Sequence, residues 1–369
     1  MKKTSPSRQS KKRAERPDLY QQVTDKIIAA IETGTLPWRK PWRTERNRVY
    51  TGSVMPQNGT TGYHYSGVNV LLLWIAADER GFHSHRWLTY KQAEAAGGHV
   101  RAGETATLAV VFKPWDKQVE DAEGKPQFDE QGNPLKTRIP MLKPLYLFNV
   151  AQCDNLPETV VGVTPAEAPD EEGAWVDAKT QAQVNTLVEA CGVRVEQVYQ
   201  DRAFYSPLRD QIVLPQAQQF RTEADYWSTL LHELVHSTGH AKRLNREGIT
   251  SSSRRFGDPV YAFEELVAEL GSAFMCAQLG IFGDVQHDSY LENWLRVLRE
   301  DKRALFRAAK QAREASEFLL QPLAGRQQQT LPRRHKETDY DGRTTRLADP
   351  CRQVTGQLLW PDVKRYRPV

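Results

Sequence analysis

Apolar positions recur every three to four residues from Leu19 to Glu32, with Ile27, Ile28 and Ile31 on one stripe, so this spacing predicts an amphipathic helix that Gly34 would stop. The apolar runs LAVVF (108–112) and PLYLFNV (144–150) instead read as strands, separated by the turn-rich excursion DAEGKPQFDEQGNP. From Asp154 to Gly173 no period persists, and proline and acid accumulate as in a linker. Helical periods then dominate over 178–191, 222–240, 260–280 and 287–320, and QIVLP (211–215) is the single strand signal. From about Pro322 the chain turns polar and basic, which predicts a poorly ordered arm. The pattern divides the chain into a basic leader (1–16), an α+β domain (17–153), a linker (154–176), a mostly helical domain (177–322) and a tail (323–369).

Composition and charge narrow the class. With 39% hydrophobic and 26% charged residues over 369 positions, the chain falls outside the disordered, collagen-like and membrane classes. Its longest apolar stretch, Val70 to Ala77, is far below the roughly 18 residues a membrane span needs. The N-terminus carries lysine and arginine without the apolar core of a secretory signal, and Cys153, Cys191, Cys276 and Cys351 form no C-x-x-C pair. A cytoplasmic protein with unpaired thiols is expected, acting without a membrane. The net charge of +4 is unevenly spread: residues 1–50 hold 13 Lys/Arg against 5 Asp/Glu.

HELVH at 232–236 puts His232 and His236 one turn apart on one helix face, where both imidazoles can reach one ion, with Glu233 between them as general base. Downstream, FEELVAELGSAF places Glu265 and Glu269 one turn apart, the E-x-x-x-[D/E] arrangement of gluzincins. Glu265 would complete the ligand set for Zn2+, or for another divalent ion such as Mn2+, and Glu269 would orient a ligand histidine; Glu264 is the alternative ligand. The longer metzincin pattern fails at its third ligand, where Lys242 stands. His240 and Tyr261 are candidates for stabilising an oxyanion.

In the first half, LPWRKPWRTERNR (36–48) interleaves Trp38 and Trp42 with Arg39, Lys40, Arg43, Arg46 and Arg48. Single strands are held by such mixtures, cations tracking phosphates and rings stacking on bases; inward packing of both tryptophans is the alternative. In TGYHYSGVNVLLLW (61–74), Tyr63, Tyr65 and Asn69 are candidates to face nucleic acid, whereas Leu71 to Trp74 read as core.

Several long segments, YQQVTDKIIAAIETGTLPWRKPW, TGYHYSGVNVLLLW, WLTYKQAEAAGGHVRAGE and LYLFNVAQC in the first half, and YSPLRDQIVLP, HELVHSTGHAKRLNRE and EELVAELGSAF in the second, resemble in order the ArdC antirestriction proteins of conjugative plasmids. The first of these domains also occurs in plasmid primases of the TraC type. The resemblance implies an N-terminal domain binding single-stranded DNA, a C-terminal zincin-like metallopeptidase domain, and protection of incoming plasmid DNA from host restriction. It leaves open whether the metal domain cleaves proteins, host restriction enzymes among them, whether DNA recruits it to them, or whether its zinc is only structural.

Overall fold

The structure is a computed structural model that describes residues 18–33, 36, 38, 53–162, 176–251, 259–283 and 291–330, with side chains up to 323. The described residues up to Gln327 form one compact unit.

Helix α1 (Leu19–Glu32) starts at Asp18, whose carboxylate accepts the Tyr20 N–H, and buries Val23, Ile27 and Ile31 on the expected stripe. Strand β1 (Gln57–Asn58) leads to α2 (Val68–Arg80), which ends at left-handed Gly81 (φ 64°), a conformation suited to glycine. Next come β2 (Arg86–Leu88), α3 (Tyr90–Ala95), β3 (His99–Val100), β4 (Thr107–Gln118), β5 (Lys136–Asn149), β6 (Cys153–Asp154) and α4 (Glu158–Val161). The sheet runs β1-β2-β5-β4, with β4 and β5 antiparallel from Thr107↔Leu147 to Gln118↔Lys136. Both strand expectations thus fall within one long ribbon. The Asn69 side-chain amide exchanges two 2.8 Å hydrogen bonds with the backbone of Val110, tying α2 to β4.

After the segment expected as a linker, of which residues 163–175 lie outside the described residues, α5 (Ala178–Cys191) opens the second half. It is followed by β7 (Arg194–Val198), β8 (Phe204–Ser206), β9 (Gln211–Pro215), α6 (Glu223–Thr238), α7 (Glu247–Thr250), α8 (Pro259–Leu279), α9 (Leu291–Glu300) and α10 (Ala304–Thr330). A three-stranded sheet, β7-β9-β8, flanks the helices, so the single strand expected here has two partners. They escaped notice because RVEQV alternates only weakly and stays largely exposed. The continuous helical period 287–320 is broken between α9 and α10, where Asp301 accepts from the backbone N–H of Arg303 and its carbonyl from that of Ala304. The helix then continues through Pro322 to Thr330, into the segment expected to be a loose arm.

The two halves share one core, although the sequence pattern separates them. Val23 and Ile27 of α1 and Leu71, Trp74 and Ile75 of α2 belong to the same apolar cluster as Leu266, Val267, Leu270 and Phe274 of α8. Thr24 Oγ1 donates to the Lys302 carbonyl at 2.9 Å, and the Val54 N–H to the Ala277 carbonyl at 2.8 Å. The cause is α8, which is buried on nearly every side from Ala262 to Ala277; a helix apolar all round must be covered all round.

Candidate metal centre

Helix α6 begins with a capping box in which the Thr222 hydroxyl accepts from the Asp225 N–H and the Asp225 carboxylate from that of Thr222. Its inner face presents His232, Glu233 and His236, all buried. Alongside lies α8, held close because Gly271 faces Val235: a Cβ at 271 would stand 2.9 Å from Val235 Cγ1. This approach brings Glu265 between the two imidazoles.

Glu265 Oε2 lies 3.6 Å from His232 Nε2, and Oε1 lies 3.5 Å from His236 Nε2. A tetrahedral ion with bonds near 2.0–2.1 Å separates its ligand atoms by about 3.4 Å, so these spacings suit one cation held by three donors. Among the described residues, these three are the group whose donor atoms all approach within 4.8 Å of one another. The far ring nitrogens face carboxylates too: His232 Nδ1 is 3.6 Å from Glu269 Oε2, and His236 Nδ1 is 3.4 Å from Glu264 Oε1. Such pairing fixes which nitrogen faces Glu265 and would point at a bound ion. Glu264, the alternative ligand, therefore sits behind His236, as Glu269 sits behind His232.

Electrostatics make the same point. Glu233, Glu264, Glu265 and Glu269 are buried together, and carboxylates in such a place need cations. Arg246, itself buried, supplies one: its guanidinium donates to both oxygens of Glu264, to the Val235 carbonyl at 2.8 Å and to Thr238 Oγ1. Burial opposes charge on Glu264, yet Arg246 and His236 hold its carboxyl below the usual range. Burial likewise opposes ionisation of Glu265, and His236 and His232 overcome it, holding that carboxyl well down. Burial also works against charge on His236, but Glu265, Glu264 and Glu233 push it up to about 10. The pocket favours positive charge, and the donor set fits a divalent ion.

Glu233 behaves differently. Burial pushes its carboxyl up, against the pull of His236 and His232. The backbone of Tyr205, on edge strand β8, adds to the downward pull. The Tyr205 hydroxyl donates to Asp210 Oδ1 at 2.8 Å, and Arg243 pairs with the same carboxylate, which anchors β8 beside α6. Helix α6 ends at Gly239, where a Cβ would stand 2.5 Å from Ile249 Cγ1; His240 lies beyond, its Nδ1 accepting the Lys242 N–H. Tyr261 is half-buried in the first turn of α8.

Of the residues expected to meet DNA, Trp38 takes the inward alternative. It is 1% exposed, packs edge-to-face on Trp294 with ring centroids 6.0 Å apart, and donates its indole N–H to Glu269 Oε1 at 3.3 Å. Its apolar ring is worth more inside the shared core than in water. Arg39, Lys40, Trp42 and Arg43 lie outside the described residues. Tyr63 is 74% exposed, while Tyr65 is half-buried, its hydroxyl accepting from Asn58 Nδ2 at 3.2 Å. Sequence reasoning missed Arg246 and Tyr205, and it left the place of Trp38 open between two readings, since nothing in their local pattern marks a partner far along the chain.

Two families match the chain. Residues 182–311 match a zincin-like metallopeptidase family, and residues 17–148 match the N-terminal domain of the anti-restriction factor ArdC. The metal-free crystal structure of the antirestriction ArdC protein from the R388 plasmid is 37% identical, with a TM-score of 0.66 over 84% of this chain and 98% of that one. Its Mn(II)-bound structure gives a TM-score of 0.62 at the same identity, over 83% and 98%. DNA primase TraC of Escherichia coli is 36% identical over 308 residues, 82% of this chain but 27% of the primase, so the chain spans about a quarter of that relative. Uncharacterized protein y4eC of Sinorhizobium fredii is 34% identical over 304 residues, 82% of this chain and 91% of that one. Fold and site thus define a zincin-like domain joined to an ArdC N-terminal domain. The chain belongs to the ArdC antirestriction family. Among the described residues no helix is long and apolar enough to cross a membrane.

Proposed function

We propose that this protein binds single-stranded DNA in the cytoplasm and protects incoming conjugative plasmid DNA from host restriction, and that its zincin-like half is a zinc peptidase. The observation that carries the peptidase reading is the position of Glu233, buried with its carboxyl pushed up, next to a three-donor cluster. Two imidazoles and one carboxylate, His232, His236 and Glu265, are a donor set suited to Zn2+, and the Mn(II)-bound structure of the R388 relative supports a divalent ion here. When bound, the ion supplies Lewis-acid polarisation of a carbonyl. Glu233 takes the proton of the attacking water and returns it to the leaving amine. Glu269 and Glu264 hold the imidazoles in the ligating tautomer. Host restriction enzymes, or other proteins on the incoming DNA, are the substrates this reading calls for.

Support for DNA binding comes from the family and from the TraC relatives, which share this segment within primases. Glu233→Gln separates protection from proteolysis. The variant keeps its bound metal and loses peptidase activity. If restriction protection persists in it, DNA binding alone protects; if protection disappears while DNA affinity stays, the protein is a DNA-recruited protease. Unchanged peptide turnover would remove Glu233 from the mechanism.

A further inference from the structure

Between Val111 and Tyr146 no residue is fully buried: Leu142 and Leu145 still pack against the core at the base, and beyond them β4 and β5 leave the body of the protein as a two-stranded ribbon. Of the 13 large hydrophobic side chains exposed among the described residues, seven lie in this stretch: Phe112, Trp115, Phe128, Leu135, Ile139, Met141 and Tyr146. A bare ribbon is marginal in water, and an apolar surface concentrated on one element marks a contact.

The register sorts the side chains. Lys113, Trp115 and Lys117 alternate onto one face of β4, opposite Met141, Ile139 and Thr137 of β5, and Lys143 joins them opposite Val111. Asp116 and Arg138, paired at 3.1 Å, occupy the other face. The first face therefore carries three lysines, no acid, and a tryptophan 46% exposed on an apolar seat. At strand rise, the lysines on β4 stand roughly 7 Å on either side of Trp115. The turn region is acidic, with Glu120, Asp121, Glu123, Asp129 and Glu130 against Lys125.

We propose that this face of the ribbon is a contact site for single-stranded nucleic acid, with Trp115 stacked on a base and Lys113, Lys117 and Lys143 against its phosphates. The proposal rests on the single-strand reading above and gives it a place that the buried Trp38 does not. An aromatic face flanked by cations serves unstacked bases. A second copy of the chain would meet its own three lysines, and the acidic turn opposes entry of the ribbon, tip first, into a duplex groove.

The test is fluorescence anisotropy of a labelled oligothymidylate with the full-length protein. Trp115→Ala should weaken binding about 5- to 150-fold, the range of one lost stack. Lys113→Gln with Lys117→Gln should flatten the salt dependence by roughly 1.4 in log–log slope, about 0.7 per phosphate contact. Phe112→Ala, on the other face, should change neither, and all these side chains are exposed, so circular dichroism should be unaltered. Wild-type binding retained by Trp115→Ala would overturn the ribbon site and leave the single-strand reading intact. If wild type itself does not bind, that reading fails first and the ribbon site with it. Preference for a duplex of the same length, lost in Trp115→Ala, would also overturn the assignment to single strands.

Discussion

Replacing Trp38 by phenylalanine should loosen the metal centre from the opposite half of the chain. The indole N–H donates to Glu269 Oε1 at 3.3 Å, and the other oxygen of that carboxylate lies 3.6 Å from His232 Nδ1. Phenylalanine retains an aromatic ring beside Trp294 but has no donor. A hydrogen bond to a charged group is worth about 1.5–3 kcal/mol, and a 3.3 Å bond belongs at the low end. About 1.5 kcal/mol is roughly tenfold in an equilibrium constant, which meets the lower end of the 10- to 100-fold loss typical when a partner behind a ligand is removed. Metal affinity should therefore fall about tenfold. Calorimetric titration of Mn2+ or Zn2+ into the chelator-stripped protein reads this directly, and urea unfolding in the presence of chelator measures the loss of packing separately. Oligothymidylate affinity should stay at the wild-type value. A folded Trp38→Phe protein with undiminished metal affinity would refute the chain of contacts from Trp38 through Glu269 to His232.

Arg246→Met strands Glu264 in the interior without its guanidinium, at a cost of about 3–5 kcal/mol in unfolding free energy; adding Glu264→Leu should restore part of the urea midpoint. Gly271→Ala places a Cβ 2.9 Å from Val235 Cγ1, so α6 and α8 must separate and both metal affinity and melting temperature should drop. Val235→Ala in the same chain should relieve the clash, and failure to do so would mean that another contact sets the spacing. Burial and Glu269 push the Cys276 thiol up to about 12, so near neutral pH it stays protonated as well as shielded. A thiol reagent followed by peptide mass mapping should therefore label half-buried Cys153 before Cys276. Because α8 shares its core with α1 and α2, a fragment of residues 176–330 should bind hydrophobic dyes and aggregate; a soluble, cooperatively melting fragment would contradict the shared core.

Much of the metal centre was legible in the sequence because helical spacing is a local property. His232 and His236, like Glu265 and Glu269, stand four positions apart, and a turn of helix converts that spacing into one face whatever else the fold does. The same rule placed α1, α5 and α6, each within two residues of its expected ends. It failed between α9 and α10, where Asp301 forms a turn inside a continuous period, and at β7, whose side chains are half solvated. What spacing cannot report is which helix meets which. Glu264 and Glu265 are neighbours on α8, and only the approach of α6 at Gly271 decides that Glu265 faces the ligating nitrogens of both imidazoles while Glu264 takes the back of His236 and Arg246. Trp38 carries the same lesson. Its basic, proline-stiffened surroundings resemble a nucleic-acid loop, but the free energy of burying an indole beside Trp294, and a carboxylate within reach of its N–H, took it inside. Local chemistry was written in the chain; the pairing of distant surfaces was settled by the packing of α8 against both halves at once.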